Sequence, residues 1–175
     1  MCDAFSQKGF KVKLYIINSS KVKFKQLKKD YLLKSNFRII EIYNSINRLN
    51  FITRLFFSIK LLFLIKNKNE RIFSRSVFTS IFLSVLGIKN ILEIHQPNSG
   101  LTNLIFNFFK KKILENTKFI LINKNLNSFF LLKKKQFIVA DDGVDLKDFK
   151  AKQIIKYKDS CVYTGSLFQG KGVDI

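Results

Sequence analysis

From Arg71 to Ala140 short apolar runs alternate with stretches of helical periodicity, and no other feature restricts the chain as much. The runs are Arg71–Ser74, Ile91–Ile94, Phe119–Ile122 and Phe137–Ala140. Between the first two, Val77, Phe78, Ile81, Phe82, Val85 and Leu86 recur at helical steps until Gly87 ends the face. Leu101–Leu114 and Asn125–Leu132 supply two more helices. Continuously apolar strands are covered on both sides, and strands joined through helices run parallel. The predicted class is therefore α/β, a Rossmann-like parallel sheet with helices on both faces.

The chain upstream fits the same scheme. Met1–Gly9 reads as the end of a helix stopped by Gly9, Lys11–Ile17 as a strand with Val12, Leu14 and Ile16 alternating, and Phe37–Ile42 as another. Ser19–Lys34 is lysine-rich with Leu27, Tyr31 and Leu32 at helical spacing, which suits a solvated connection or a short helix. Asn50–Ile65 is the most hydrophobic segment, yet Asn50, Thr53, Arg54 and Ser58 mark a polar stripe along it. A membrane-spanning helix needs about 20 apolar residues. This run is shorter and carries Arg54 and Lys60, so it reads as a sheet-covering helix before a membrane-surface one. Lys66–Glu70 closes it as a polar turn.

The 175 residues suffice for one domain and part of a second, with a boundary expected near Lys156 in the polar stretch Asp148–Asp159. A formal net charge of +20 raises nucleic acid as a partner, but the lysines are scattered and no nucleic-acid motif occurs, so anionic lipid or an anionic ligand is the better expectation. Cys2 and Cys161 are far apart and neither has a metal or redox spacing. A reduced, cytosolic setting without a zinc site is expected. Met1–Gln7, short and mixed, does not read as a signal peptide.

In an open parallel sheet, ligands bind beyond the carboxyl ends of the strands. Three polar loops leave such ends: Ser74-Arg75-Ser76, His95-Gln96-Pro97-Asn98 and Asp141-Asp142-Gly143-Val144-Asp145. Strand alternation puts Glu93 and His95 on one face, where the carboxylate can orient or charge the imidazole. A strand-end histidine alone is more often structural. Arg75 suits contact with an anion or the capping of the next helix. Gly143 permits a tight turn and Asp145 can cap Leu146–Phe149. The last stretch, CVYTGSLFQGKGVDI, is an apolar run opening into a glycine loop with Lys171, which suits a phosphate or diphosphate. Gly165 to Lys171 also fits the first seven positions of G-x-x-x-x-G-K-[ST], but Gly172 stands where the Mg²⁺-binding hydroxyl belongs. A strand followed by a surface glycine turn is the plain alternative.

Taken in order, FSQKGFKVKLYI, the R-S of IFSRS, the E-x-H of ILEIHQP, D-G-V-D and the Y-x-G-x-L-x-x-x-K-G of Tyr163–Gly172 resemble GT-B fold glycosyltransferases of the family 4, or group 1, type. The resemblance implies an N-terminal, acceptor-side domain over residues 1–156. The first strand and phosphate loop of a donor-binding domain would occupy residues 157–175, and the chain would be truncated at both ends. It implies transfer of a sugar from a nucleotide-diphosphate sugar to the hydroxyl of a saccharide or lipid-linked acceptor, with retention and no obligatory metal or cofactor. Such chemistry belongs to cell-envelope polysaccharide or glycolipid synthesis at the cytoplasmic membrane face, and this fragment would be inactive alone. Lys171, with Gly165 and Gly172, would hold the donor diphosphate, although an arginine often stands where Ser166 is here. His95 would line the cleft as its catalytic-side residue, with Glu93 in support and Arg75 on the acceptor side. Asp142, Gly143 and Asp145 would form the interdomain loop. Two other readings remain: a P-loop-like nucleotide-binding protein, which requires Mg²⁺-dependent nucleotide binding, and a basic non-catalytic binder of nucleic acid or membrane surfaces, whose binding would be salt-sensitive.

Overall fold

The computed structural model describes residues 1–17, 26, 28–29, 33–42, 51–65, 70–141 and 143. The chain divides into two compact units, Met1–Asp142 and Gly143–Ile175, and the fold below is that of the first. Its elements are α1 (Cys2–Gln7), β1 (Lys13–Ile17), β2 (Arg38–Ile42), α2 (Phe51–Leu64), β3 (Ile72–Ser74), α3 (Val77–Val85), β4 (Asn90–Ile94), α4 (Gly100–Phe108), α5 (Lys110–Asn116), β5 (Thr117–Leu121), α6 (Asn127–Phe130) and β6 (Phe137–Val139). Single 3₁₀ turns at Lys124–Leu126 and Lys134–Gln136 precede α6 and β6.

Among the described residues all strand pairs are parallel. β1 pairs with β2, and β3, β4, β5 and β6 form a four-stranded sheet in sequence order. Helices flank the sheets, so the unit is α/β and Rossmann-like, as the alternation of runs dictates. The core lies on one face of the larger sheet, where Leu92, Ile94, Phe119 and Leu121 meet Ile81, Phe106, Ile113 and Phe130 from the helices. Phe106 and Phe130 pack edge to face, with ring centres 5.5 Å apart.

Helix α3 is the element around which this core is arranged. Ser76 caps its start, the hydroxyl accepting from the Thr79 amide at 3.3 Å. Its end is a Schellman turn: Gly87 takes φ +72°, and the Ile88 and Gly87 amides bond back to the carbonyls of Leu83 and Ser84. Towards that end α3 carries Ser80 and Ser84, both buried against Asn90 and Thr117, the first residues of β4 and β5. Ser80 donates to Asn90 Oδ1, Asn90 Nδ2 donates to Ser84 Oγ at 3.2 Å, and the Ser84 and Thr117 hydroxyls are 2.7 Å apart. The small hydroxyls let helix and sheet approach closely, and their mutual bonds offset the desolvation of each polar group.

Two helices differ from expectation. Leu101–Leu114, read as one helix, is broken at Phe109, whose φ of −94° and ψ of 9° divide α4 from α5. No glycine or proline stands there, so the apolar periodicity runs across the break. Asn125–Leu132 is helical only in part. Asn127 accepts from the Leu132 amide at 2.8 Å and donates to its carbonyl, closing a turn that holds Leu131 at φ +53°.

The larger correction concerns α2. A sheet-covering helix turns its apolar face to a sheet, but α2 packs chiefly on α3, with Leu61 and two polar residues on the buried side and Arg54 exposed. Thr53 and Ser58 are buried, with the Ser58 hydroxyl 2.9 Å from that of Thr79, while Ile52, Phe56, Ile59 and Phe63 are exposed. Ser58 also returns a bond to the Arg54 carbonyl, the local bond that makes serine tolerable inside a helix.

At the other end of the unit, Asp3 ties α1 to the segment before β2. Its Oδ1 accepts from the Lys34 and Ser35 amides and the Ser35 hydroxyl, and its Oδ2 from Gln7. These donors, the Ser35 hydroxyl foremost, favour the ionised form and pull the Asp3 pKa down to about 2. Lys13 pairs with Glu70 at 2.6 Å, linking β1 to the approach of β3.

Candidate functional site at the strand tips

The carboxyl ends of β3 and β4 lie side by side, with Ser74 in register with Leu92. The residues that follow, Arg75 and His95, therefore emerge at neighbouring tips. Between them stands Glu93, whose side chain leaves β4 on the same face as His95. Its Oε1 accepts from Arg75 Nη2 and from His95 Nε2, each at 2.6 Å. One carboxylate oxygen thus holds both side chains in position.

Burial differs sharply within the group. The Glu93 side chain is 5% exposed, His95 34% and Arg75 59%. Burial alone would raise the Glu93 pKa, but the hydrogen bonds from Arg75 and His95, with the attraction of their charges, outweigh it and the net shift is downward. Glu93 is therefore an anion at neutral pH. An ionised carboxylate only accepts, so the hydrogen on the shared edge belongs to His95 Nε2. Nδ1 is then the ring edge turned away from that carboxylate oxygen.

Two polar atoms in this region are buried and make no hydrogen bond within the protein: Glu93 Oε2 and Asn98 Nδ2. A buried acceptor or donor without a partner costs roughly 1–3 kcal/mol. The first is an acceptor and the second a donor. Asn98 lies in the polar loop that the sequence placed at a strand end, but nothing in its composition distinguished it from Gln96.

Of the other residues singled out by sequence, Arg75 resolves towards Glu93 and does not cap α3, since Ser76 fills that role. Gly143 is exposed and opens the second unit. Asp142, Asp145, Gly165, Lys171 and Gly172 lie outside the described residues. Among the described residues, no three His, Cys, Asp or Glu side chains come together as metal ligands. A shallow pocket of about 180 Å³, lined by Ile91, Lys118, Ile120, Lys135, Phe137 and Ile138 among others, contains none of the Arg75–Glu93–His95 group. No family model, curated protein or solved structure matches the chain.

Proposed function

We propose that this chain belongs to a sugar-transferring enzyme using a nucleotide-diphosphate sugar, and that the Arg75–Glu93–His95 group lies on the acceptor side of its cleft. The observation that carries the reading is that group's place, at adjacent carboxyl ends of parallel strands, where open α/β sheets bind ligands. The ordered motifs from K-G to Y-x-G-x-L-x-x-x-K-G support it, and they supply the chemistry that the fold leaves open.

In this reading the acceptor oxygen bonds to the anomeric carbon as the bond from that carbon to the diphosphate breaks. The nucleoside diphosphate leaves with the electron pair, and the hydroxyl proton passes to the departing phosphate. Lys171, in the sequence stretch from Gly165 to Gly172, offsets charge on the leaving group in this reading, the electrostatic effect that usually contributes most to catalysis. Glu93 fixes the His95 ring so that Nδ1 faces a sugar hydroxyl. Arg75, the most exposed of the group, meets ligand charge. Its partners would be the nucleotide sugar and a saccharide or lipid-linked acceptor at the inner face of the cell membrane.

The test is calorimetric titration of nucleotide-diphosphate sugars into the protein, with turnover measured where a donor domain is present. Lys171→Ala is expected to weaken donor binding by about 1.5–3 kcal/mol, the range for a charge-assisted hydrogen bond. His95→Ala should leave donor affinity near its original value and lower turnover. Unchanged affinity in Lys171→Ala, or no binding of any nucleotide sugar, overturns the reading.

A further inference from the structure

The face that α2 gives to solvent is the one a globular helix ordinarily hides. Ile52, Phe56, Ile59 and Phe63 follow one another at helical steps, forming a single stripe about 17 Å long at 1.5 Å rise per residue. All four are exposed, Phe63 at 82%. The opposite side is occupied, because Thr53 and Ser58 are buried and Ser58 is bonded to Thr79 of α3. Rolling the stripe inward would break that bond and leave the buried Thr79 hydroxyl against apolar side chains.

Charge selects the partner. Between Glu41 and Glu70 the sequence contains Arg48, Arg54, Lys60, Lys66 and Lys68 and no acidic residue, within a chain of net charge +20. Lys60 is exposed at the border of the stripe. A second copy of the chain would bring like charge against like, whereas an acidic lipid surface would neutralise it. No helix among the described residues is long and apolar enough to cross a membrane, so such a helix lies in the interface plane. We infer that α2 is a membrane-docking helix that seats Ile52, Phe56, Ile59 and Phe63 among the headgroups of an anionic bilayer, with Lys60 at the lipid phosphates. The inference rests on α2 alone and holds whether or not the chain transfers sugar.

Because the chain contains no tryptophan, Phe63→Trp places a single fluorescent reporter on the stripe, and Phe129→Trp places one on α6. Vesicles of equal parts phosphatidylglycerol and phosphatidylcholine should shift the Phe63→Trp emission to the blue, and vesicles of phosphatidylcholine alone should not. The double variant Phe56→Asp with Phe63→Asp should lose roughly tenfold or more in vesicle partitioning, since two apolar anchors become anions. Both sites are exposed, so circular dichroism should show the fold intact, and the tryptophan reporter decides the matter if it does not. The proposal is overturned by absent vesicle binding, by binding with unshifted Phe63→Trp emission, or by a larger shift at Phe129→Trp. A dimer in light scattering that the double variant converts to monomer also overturns it, by giving the stripe to a second copy.

Discussion

β1 and β4 are written in much the same letters, KLYII and NILEI, yet the structure treats them differently. β4 is buried at Asn90, Leu92, Glu93 and Ile94, with neighbours on both edges. β1 has no fully buried residue, and among the described residues it pairs only with β2. A two-stranded sheet is marginal by itself in water. The N-terminal pair has Ile42 as its one buried residue, with the Asp3 hub before β2 and the Lys13–Glu70 contact beside it. A run of apolar residues thus announces a strand, while its stability depends on how many layers and edges are supplied around it.

That contrast can be broken most directly by truncating one side chain on each side of it. Phe119→Ala in β5, where the ring is 1% exposed, should cost about 3–5 kcal/mol. Ile16→Ala in the half-buried β1 should cost only about 1–2 kcal/mol, because less apolar area leaves water there. Urea denaturation at neutral pH measures both, and equal losses would mean that β1 belongs to the same core.

A smaller effect is expected at the strand tips. Arg75→Ala removes one of the two donors to Glu93 Oε1 but leaves His95, and the exposed guanidinium is screened by solvent, so the loss should be about 1 kcal/mol. Its sharper signature is in pH. Glu93 titrates below its ordinary value when folded, so its contribution is present above the unfolded carboxylate pKa and disappears as pH falls through the folded one. Removing Arg75 should raise the folded pKa and narrow that window, visible as an upward move of the Glu93 carboxyl resonance in NMR titration.

The smallest expected change at neutral pH carries the clearest acid signature. Asp3, with its pKa near 2, stabilises the fold above the usual aspartate range and loses that contribution between about pH 4 and 2. Asp3→Asn should flatten this part of the stability–pH curve for the β1–β2 region, followed by amide exchange in β1 and β2, while leaving β4 and β5 unaffected. A curve of unchanged slope would detach Asp3 from the N-terminal pair.

Much of this fold was legible beforehand because period-two and period-3.6 patterns differ in kind, and Gly9 and Gly87 marked two turns whose left-handed backbone suits glycine. Alternation also placed Glu93 and His95 on one face. What the sequence concealed is reach. Arg75 is eighteen residues from Glu93, and only the β3–β4 register brings their side chains together. The inward turn of Thr53 and Ser58 was hidden for a related reason: a polar stripe on a helix shows that two faces differ, and its partner decides which one is inside. Asn98 emerged only when burial could be set beside hydrogen bonding.

The hydroxyl and amide layer joining Ser80 and Ser84 to Asn90 and Thr117 has a mechanical meaning. A sliding α3 would leave four dry groups unsatisfied at once, so the layer works as a detent, permitting one seating of the rod and resisting the rest. Because the rod's other end begins immediately after Arg75, fixing its tail also sets how far that guanidinium stands from the carboxylate on the neighbouring strand.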